Sequence, residues 1–432
     1  MKYFKKIQLL LLFVIISTLL LAACGKEKDT SRVTNANVEE NMVGNEEPSP
    51  TPTIAPIKEA KDNDNVKKND EKNKSKDPDI LAFKDKITSG PMEIRDISST
   101  ELVKEIKIGW NLGNTLDAEG YGTYSEISWG NPLTKKEMID TVKDAGFNTL
   151  RIPITWQQHI GPAPDYKIHE QWLDRVEEVV NYGMVNDMFV IINAHHEDWY
   201  IPYYDNADTA IDMMEKLWKQ IADRFENYDE HLIFEGLNEP RHKGAPDEWT
   251  GGNEEGWDVV NQLNAAFVKT IRDSGGNNPL RHLMITPYAA SSNTITWDKF
   301  IVQEDDKVIV SIHAYTPYNF ALNVNGTSEW SVTNPNDTSE IDSLINNIDN
   351  YFISKGIPVI LGEFGSVNKN NLEARVAWAK YYVNKSKEKG VPCIVWDNGV
   401  HQGSGEILGL LDRKNLTWTS PEIIEAFMKG LE

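Results

Sequence analysis

The chain has 432 residues, 40% of them hydrophobic and 25% charged, which fits a soluble globular protein with material for one large domain or two ordinary ones. Its formal net charge of −22 disfavours nucleic acid and other polyanions as partners, so a neutral substrate is expected. There are two cysteines, Cys24 and Cys393, and the first sits where a leader would be processed, which excludes an intrachain disulfide in the mature protein.

Lys2, Lys5 and Lys6 precede an apolar run from Ile7 to Leu21 that ends in Leu21-Ala22-Ala23-Cys24-Gly25. This is the pattern of a secretion signal, too short and wrongly flanked for a spanning helix. Its ending resembles a bacterial lipoprotein site, where the cysteine takes a diacylglycerol and becomes the new N-terminus. An ordinary secretion signal with an incidental cysteine is the plainer alternative. The resemblance implies a leader over 1–24, lipidation of Cys24 and anchoring at the outer face of the cell membrane. From 25 to 79 the sequence is Lys, Glu, Asp, Asn, Ser, Thr and Pro with no apolar periodicity, including Pro48-Ser49-Pro50-Thr51-Pro52-Thr53. Such a segment cannot build a core and is expected to be a disordered tether.

From 80 to 432 short runs rich in Val and Ile alternate with longer amphipathic stretches, the signature of βα units around a parallel sheet. Eight strands are predicted: Ile106–Trp110, Thr149–Pro153, Phe189–Ala194, Leu232–Leu237, Leu283–Thr286, Val308–Ile312, Pro358–Gly362 and Pro392–Trp396. Helices are predicted at Lys135–Ala145, Glu170–Asn186, Ile211–Tyr228, Trp257–Ser274, Ile341–Lys355 and Leu372–Lys389. Eight strands suggest a closed (β/α)8 TIM barrel as a single α/β catalytic domain, with long loops at Leu112–Pro132, Glu197–Ala210 and Tyr315–Ser339 forming the upper rim. A doubly wound sheet is the alternative, but Gly109-Trp110-Asn111-Leu112-Gly113-Asn114 lacks the phosphate-turn pattern.

Glu239, in Leu237-Asn238-Glu239-Pro240, and Glu363, in Leu361-Gly362-Glu363-Phe364-Gly365, each follow an apolar strand run. Carboxylates placed this way meet at the carboxyl end of a barrel, where two of them facing one acetal bond can cleave it. Their separation decides the outcome: about 5–5.5 Å for retention, about 6.5–9.5 Å for inversion. Arg151 closes an otherwise apolar strand and needs a carboxylate partner there. Beside Glu363 it would keep that carboxyl ionised, although a structural ion pair would look the same in sequence.

From Gly109 to Trp396 the chain resembles the cellulase family of retaining glycosidases, glycoside hydrolase family 5, on the strength of Ile233-Phe234-Glu235-Gly236-Leu237-Asn238-Glu239-Pro240 and the strand-end Glu363. The resemblance implies that Glu239 is the acid/base and Glu363 the nucleophile, that His313 and Tyr315 orient them, and that Asn238 bonds the sugar 2-hydroxyl. It also implies a tryptophan platform at Trp396 and a sugar or catalytic-carboxylate contact from His195, and His196 is expected to face a neighbouring subsite. Gly-Trp-Asn-Leu-Gly-Asn-Thr-Leu-Asp, with Asn114 and Asp117, and Trp129-Gly130-Asn131-Pro132 resemble the endo-β-1,4-glucanase branch, in which Asn114 and Asp117 would bind sugar on the non-reducing side. Among tryptophans of the expected rim loops, Trp129 and Trp156 stand first as further sugar platforms.

The expectation is thus a monomeric retaining endo-β-1,4-glucanase acting on β-glucan without metal or cofactor. A β-mannanase, xyloglucanase or xylanase with the same machinery is the alternative within enzymes, and a non-catalytic glycan-binding surface protein the alternative outside them. His195-His196-Glu197 invites a metal reading, but successive strand residues point to opposite faces.

Overall fold

The computed structural model of the protein describes residues 77–120 and 122–432. The expected leader, Cys24 and the tether as far as residue 76 lie outside the described residues. Eight parallel strands close into a barrel: β1 Ile108–Leu112, β2 Thr149–Ile152, β3 Phe189–Asn193, β4 Leu232–Glu235, β5 Leu283–Ile285, β6 Val308–His313, β7 Val359–Phe364 and β8 Cys393–Asp397. Each pairs with the next in chain order, and β8 pairs with β1. Every expected strand is present. The doubly wound alternative is excluded by the closure.

Two helices precede the barrel, α1 Pro78–Ser89 and α2 Ser99–Val103, and neither was among the predicted elements. The tether was expected to reach residue 79, but the Asp77 carboxylate accepts from the Asp79 N–H at 2.9 Å and caps α1, with Pro78 in the first turn where its missing N–H costs nothing. Later helices are α3 Lys136–Asp144, α4 Glu170–Met184, α5 Tyr204–Arg224, α6 Glu254–Arg272, α7 Tyr318–Ala321, α8 Pro335–Tyr351, α9 Leu372–Glu388 and α10 Pro421–Gly430. Helix α5 starts seven residues before the expected Ile211, because its first turns expose Tyr204, Asp205 and Asp208 and carry little apolar signal. The expected loop Tyr315–Ser339 likewise contains α7 and the start of α8.

Strand alternation sorts the core into layers. Ile191, Ile233, Met284, Ile309, Ile360 and Ile394 form one buried cluster inside the barrel, closed from below by Leu102, Val103 and Ile106 of the α2 region. Their neighbours Val190, Ile192, Leu232, Phe234, Val310, Leu361 and Val395 belong to the larger cluster between sheet and helices. Two residues beyond Ile191, Ile233 and Ile309 the inward positions turn polar, Asn193, Glu235 and Ser311, and Asn111 of β1 and Arg151 of β2 join them, all fully buried. An apolar floor under a polar layer is what a barrel needs to hold charges at its carboxyl end.

Candidate active site

Arg151, on β2, organises the polar layer. Its Nε donates to Glu235 Oε2 at 2.8 Å, Nη1 to Glu363 Oε1 and to Asn111 Oδ1 at 2.9 Å, and Nη2 to Asn238 Oδ1 at 2.8 Å. A fully buried guanidinium needs such partners, since each unpaired donor in a dry interior costs on the order of 1–3 kcal/mol. The opposing charges of Glu235 and Glu363 hold its proton more tightly than usual against the effect of burial. Glu235 is fixed in turn by Asn193 Nδ2 at 3.1 Å and Ser311 Oγ at 2.6 Å. Asn111 also donates from Nδ2 to the Gly362 carbonyl at 2.9 Å.

The second carboxylate reaches the barrel interior through an irregularity. Ile360 faces inward and Leu361 outward, so strict alternation would turn Glu363 outward with Leu361. Instead the pairing of β7 with β6 shifts between Ile312 and His313, placing Leu361 opposite Ile312 but Glu363 opposite His313. Gly362 is the extra residue of this bulge. A Cβ there would lie 2.7 Å from Ser311 Oγ and 3.1 Å from His313 Nε2, so only glycine fits.

Glu239, Glu363 and His313 then meet. One carboxylate oxygen of each glutamate and a ring nitrogen of His313 all lie within 4.8 Å of one another. His313 Nδ1 stands 2.8 Å from Glu239 Oε1 and 3.6 Å from Glu363 Oε1, while Tyr315 Oη donates to Glu363 Oε2 at 2.9 Å. Burial lifts Glu363 above its ordinary value against the pull of His313 and Arg151, and the charge of Glu239 adds to the lift. For Glu239 burial also pushes upward, but the hydrogen bond and charge of His313, with Arg241 and His196, outweigh it and hold the group below its usual value. His313 is raised, since the charge of Glu363 and the hydrogen bond to Glu239 overcome the burial of its cation. These directions favour a charge-assisted contact between His313 and Glu239 beside Glu363.

The remaining expected residues lie at and beyond the carboxyl ends of β1, β3 and β8. His195 is buried, its ring stacked parallel to Trp396 with centroids 5.7 Å apart. Asn193 Nδ2 lies 3.0 Å from His195 Nδ1, which makes Nδ1 the acceptor and leaves the proton on Nε2. Burial first, with His196 and Arg151 nearby, pushes its proton affinity well below the ordinary histidine value. His196 is more open and its ring lies 5.6 Å from that of Trp129, which is 42% exposed. Asn114 sits in the left-handed region at φ 56°, its carbonyl accepting from Asn131 Nδ2 at 2.8 Å.

Two of the expected residues are fully buried. Asp117 is fully buried, and its carboxylate accepts from the backbone N–H of Asn114 at 2.9 Å and of Thr115 at 2.6 Å. It shapes the turn that presents Asn114, and its Oδ2 stands 4.0 Å from His196 Nε2. Trp156, taken from its loop position as a platform, is 0% exposed and donates from Nε1 to the Asn193 carbonyl at 2.8 Å. It packs in the core behind the site because the chain after β2 dives inward, held by Glu197, whose carboxylate accepts from the Trp156 and Gln157 N–H at 2.5 and 3.0 Å. Trp330, within the expected rim loop Tyr315–Ser339, is buried as well.

Asn111, Asn193, Glu235 and Ser311 were not singled out from sequence. Their signal was a polar side chain at an inward position two residues beyond an apolar one, visible in Trp110-Asn111-Leu112 and Phe234-Glu235-Gly236 once the strand register is known.

A barrel with two carboxylates, a buried arginine and a histidine at its carboxyl end defines the class of acid/base hydrolases that act on acetals. The description "Cellulase (glycosyl hydrolase family 5)" matches residues 114–402, and the chain belongs to that family. It is 50% identical over 351 residues to endoglucanase B of Neocallimastix patriciarum, covering 79% of this chain and 74% of that one. It is 47% identical over 361 residues to endoglucanase A of Ruminococcus albus, covering 82% and 98%. Among solved structures, a GH5-4 broad specificity endoglucanase from Ruminococcus champanellensis with bound cellotriose superposes with a TM-score of 0.76 at 49% identity, over 78% of this chain and all of that one.

The two tryptophans should separate in stability. Trp156→Ala is expected to lose about 3–5 kcal/mol in urea unfolding, as for other buried aromatics, and Trp129→Ala to stay within about 0.5 kcal/mol of the parent. Equal losses would contradict the placement of Trp156 behind the site.

Proposed function

We propose that the protein is a retaining endo-β-1,4-glucanase that hydrolyses internal bonds of cellulose-type or related β-glucans. The observation that carries this reading is the approach of Glu239 and Glu363, with carboxylate oxygens within 4.8 Å of each other. That lies on the side of the about 5–5.5 Å of retaining enzymes and short of the about 6.5–9.5 Å of inverting ones.

In the first step a Glu363 oxygen attacks the anomeric carbon, the glycosidic C–O bond breaks, and the leaving oxygen takes the proton of Glu239. That proton is held in the His313–Glu239 pair, 2.8 Å from either heavy atom to the other, and moves to Glu239 when the leaving oxygen arrives. Arg151 and the Tyr315 hydroxyl favour the ionised Glu363 that attacks. In the second step Glu239 takes a proton from water, the water oxygen attacks the anomeric carbon, and the bond to Glu363 breaks. Asn238, held by Arg151 beside Glu239, is placed to bond the 2-hydroxyl of the sugar. Trp396, His195, His196, Trp129 and Asn114 line the groove for neighbouring sugars.

The name "broad specificity" of the R. champanellensis relative supports more than one accepted backbone, and xyloglucan, xylan and mannan belong in the same substrate panel. The non-catalytic binding reading is disfavoured by a complete catalytic constellation. Glu239→Gln and Glu363→Gln are each expected to slow the release of reducing sugar from soluble β-glucan by roughly three orders of magnitude or more with the thermal midpoint retained. Wild-type rates in either variant would sink the assignment.

For location we infer from Leu21-Ala22-Ala23-Cys24 a lipoprotein anchored by Cys24 to the outer face of the membrane, with the residues after it as a tether. Cys24→Ala should shift the activity from the membrane fraction of a bacterial host. An unchanged distribution would contradict the anchor.

A further inference from the structure

Arg241 is the one cation of the loop after β4 that touches the proton-carrying carboxyl, and its surroundings are built to hold it there. Its Nη1 donates to the Glu239 carbonyl at 2.9 Å and stands 3.5 Å from Glu239 Oε2, the oxygen that His313 does not contact. Its Nε donates to Glu248 Oε1 at 2.9 Å, and Glu248 Oε2 accepts from the Gly244 N–H at 2.9 Å, so the acidic partner is itself fixed to the loop. The guanidinium carbon lies 4.2 Å from the ring centroid of Trp249, a cation–π contact that closes the clamp. Trp249 is 60% exposed while Arg241 is mostly covered, so the indole is held at the surface as the lid over a charge. A tryptophan left this exposed gains little from burial, and shielding the cation accounts for its place.

Accepting Glu239 as the acid/base, we propose that Arg241, clamped between Glu248 and Trp249, is a positioning residue for the Glu239 carboxyl. It aims Oε2 and stabilises the ionised form that Glu239 takes once the leaving oxygen has its proton. The other groups around Glu239 come from different elements. His313 on β6 and His196 after β3 act in the same direction as Arg241, whereas Glu363 on β7 and Glu406 after β8 oppose it. His313 handles the proton itself. A guanidinium serves as a fixed charge, so removal of Arg241 is separable from loss of the proton relay.

The test uses the full chain with Arg241→Met, which keeps the stem and removes the charge, and Arg241→Lys, which restores a charge without the fork. On soluble β-glucan, Arg241→Met is expected to lower kcat about ten- to a hundredfold and to move the basic limb of the pH profile upward by about one unit, because Glu239 then holds its proton longer. The acidic limb, set by Glu363, should stay in place. Arg241→Lys should recover part of both effects. A 2,4-dinitrophenyl β-cellobioside, whose leaving group departs unprotonated, should show a much smaller loss in the glycosylation step. Glu248→Gln, which loosens the clamp but leaves the cation, should give a smaller shift of the same sign. An equal loss at every pH and on both substrates, or a shift of the acidic limb instead, would overturn the proposal. Wild-type activity in Glu239→Gln would instead overturn the parent reading, whatever the Arg241 variants do.

Discussion

A single buried guanidinium carries the architecture of the site. Arg151 spends its donors on Glu235, Asn111, Glu363 and Asn238, residues from β4, β1, β7 and the loop after β4. Each bond fixes a group that chemistry needs in one orientation. The cost of burying three charges is offset only because every one is paired and hydrogen-bonded, and this makes the network intolerant of partial removal. Glu235 is the quiet member: by answering Arg151 from below, it leaves the upper edge of the guanidinium for Glu363.

The same layer explains why the two glutamates differ. Glu363 meets Arg151 and the Tyr315 hydroxyl, both donors on fixed elements, whereas Glu239 meets His313, a group that can hold or release a proton near neutral pH. Arg151 and Tyr315 thus favour a charged Glu363 against the burial that lifts it, while His313 gives Glu239 a partner with which to exchange a proton. The bulge at Gly362 is what makes the difference usable, since without it Glu363 would share the outward face of Leu361.

Much of this was legible from residues alone. The strand runs, Asn238-Glu239-Pro240, and the alternation of His313 and Tyr315 located the fold and the centre of the site, because apolar runs and strand-end polar residues are local signals. Gly362 was not legible as a bulge: a glycine in a strand says only that something comes close, and the neighbours, Ser311 and His313, lie some fifty residues away in sequence. Trp156 failed for a related reason. An indole in a loop reads the same whether it lines a groove or folds back beneath one, and what buries it is the carboxylate of Glu197 on another loop. Asp117 serves the backbone of its own turn, a use that a polar residue beside a sugar-binding pattern does not announce in sequence.

The central claim is that Arg151 and the bulge make Glu363, and not Glu239, the group that bonds to sugar carbon. Incubation with an activated 2-deoxy-2-fluoro-β-cellobioside, followed by peptide mass spectrometry, tests it most directly, because the fluorine slows release of the covalent intermediate. The account predicts one cellobiosyl adduct per chain, on the peptide containing Glu363. An adduct on Glu239, or hydrolysis that first yields the α-anomer with no adduct at all, would contradict it.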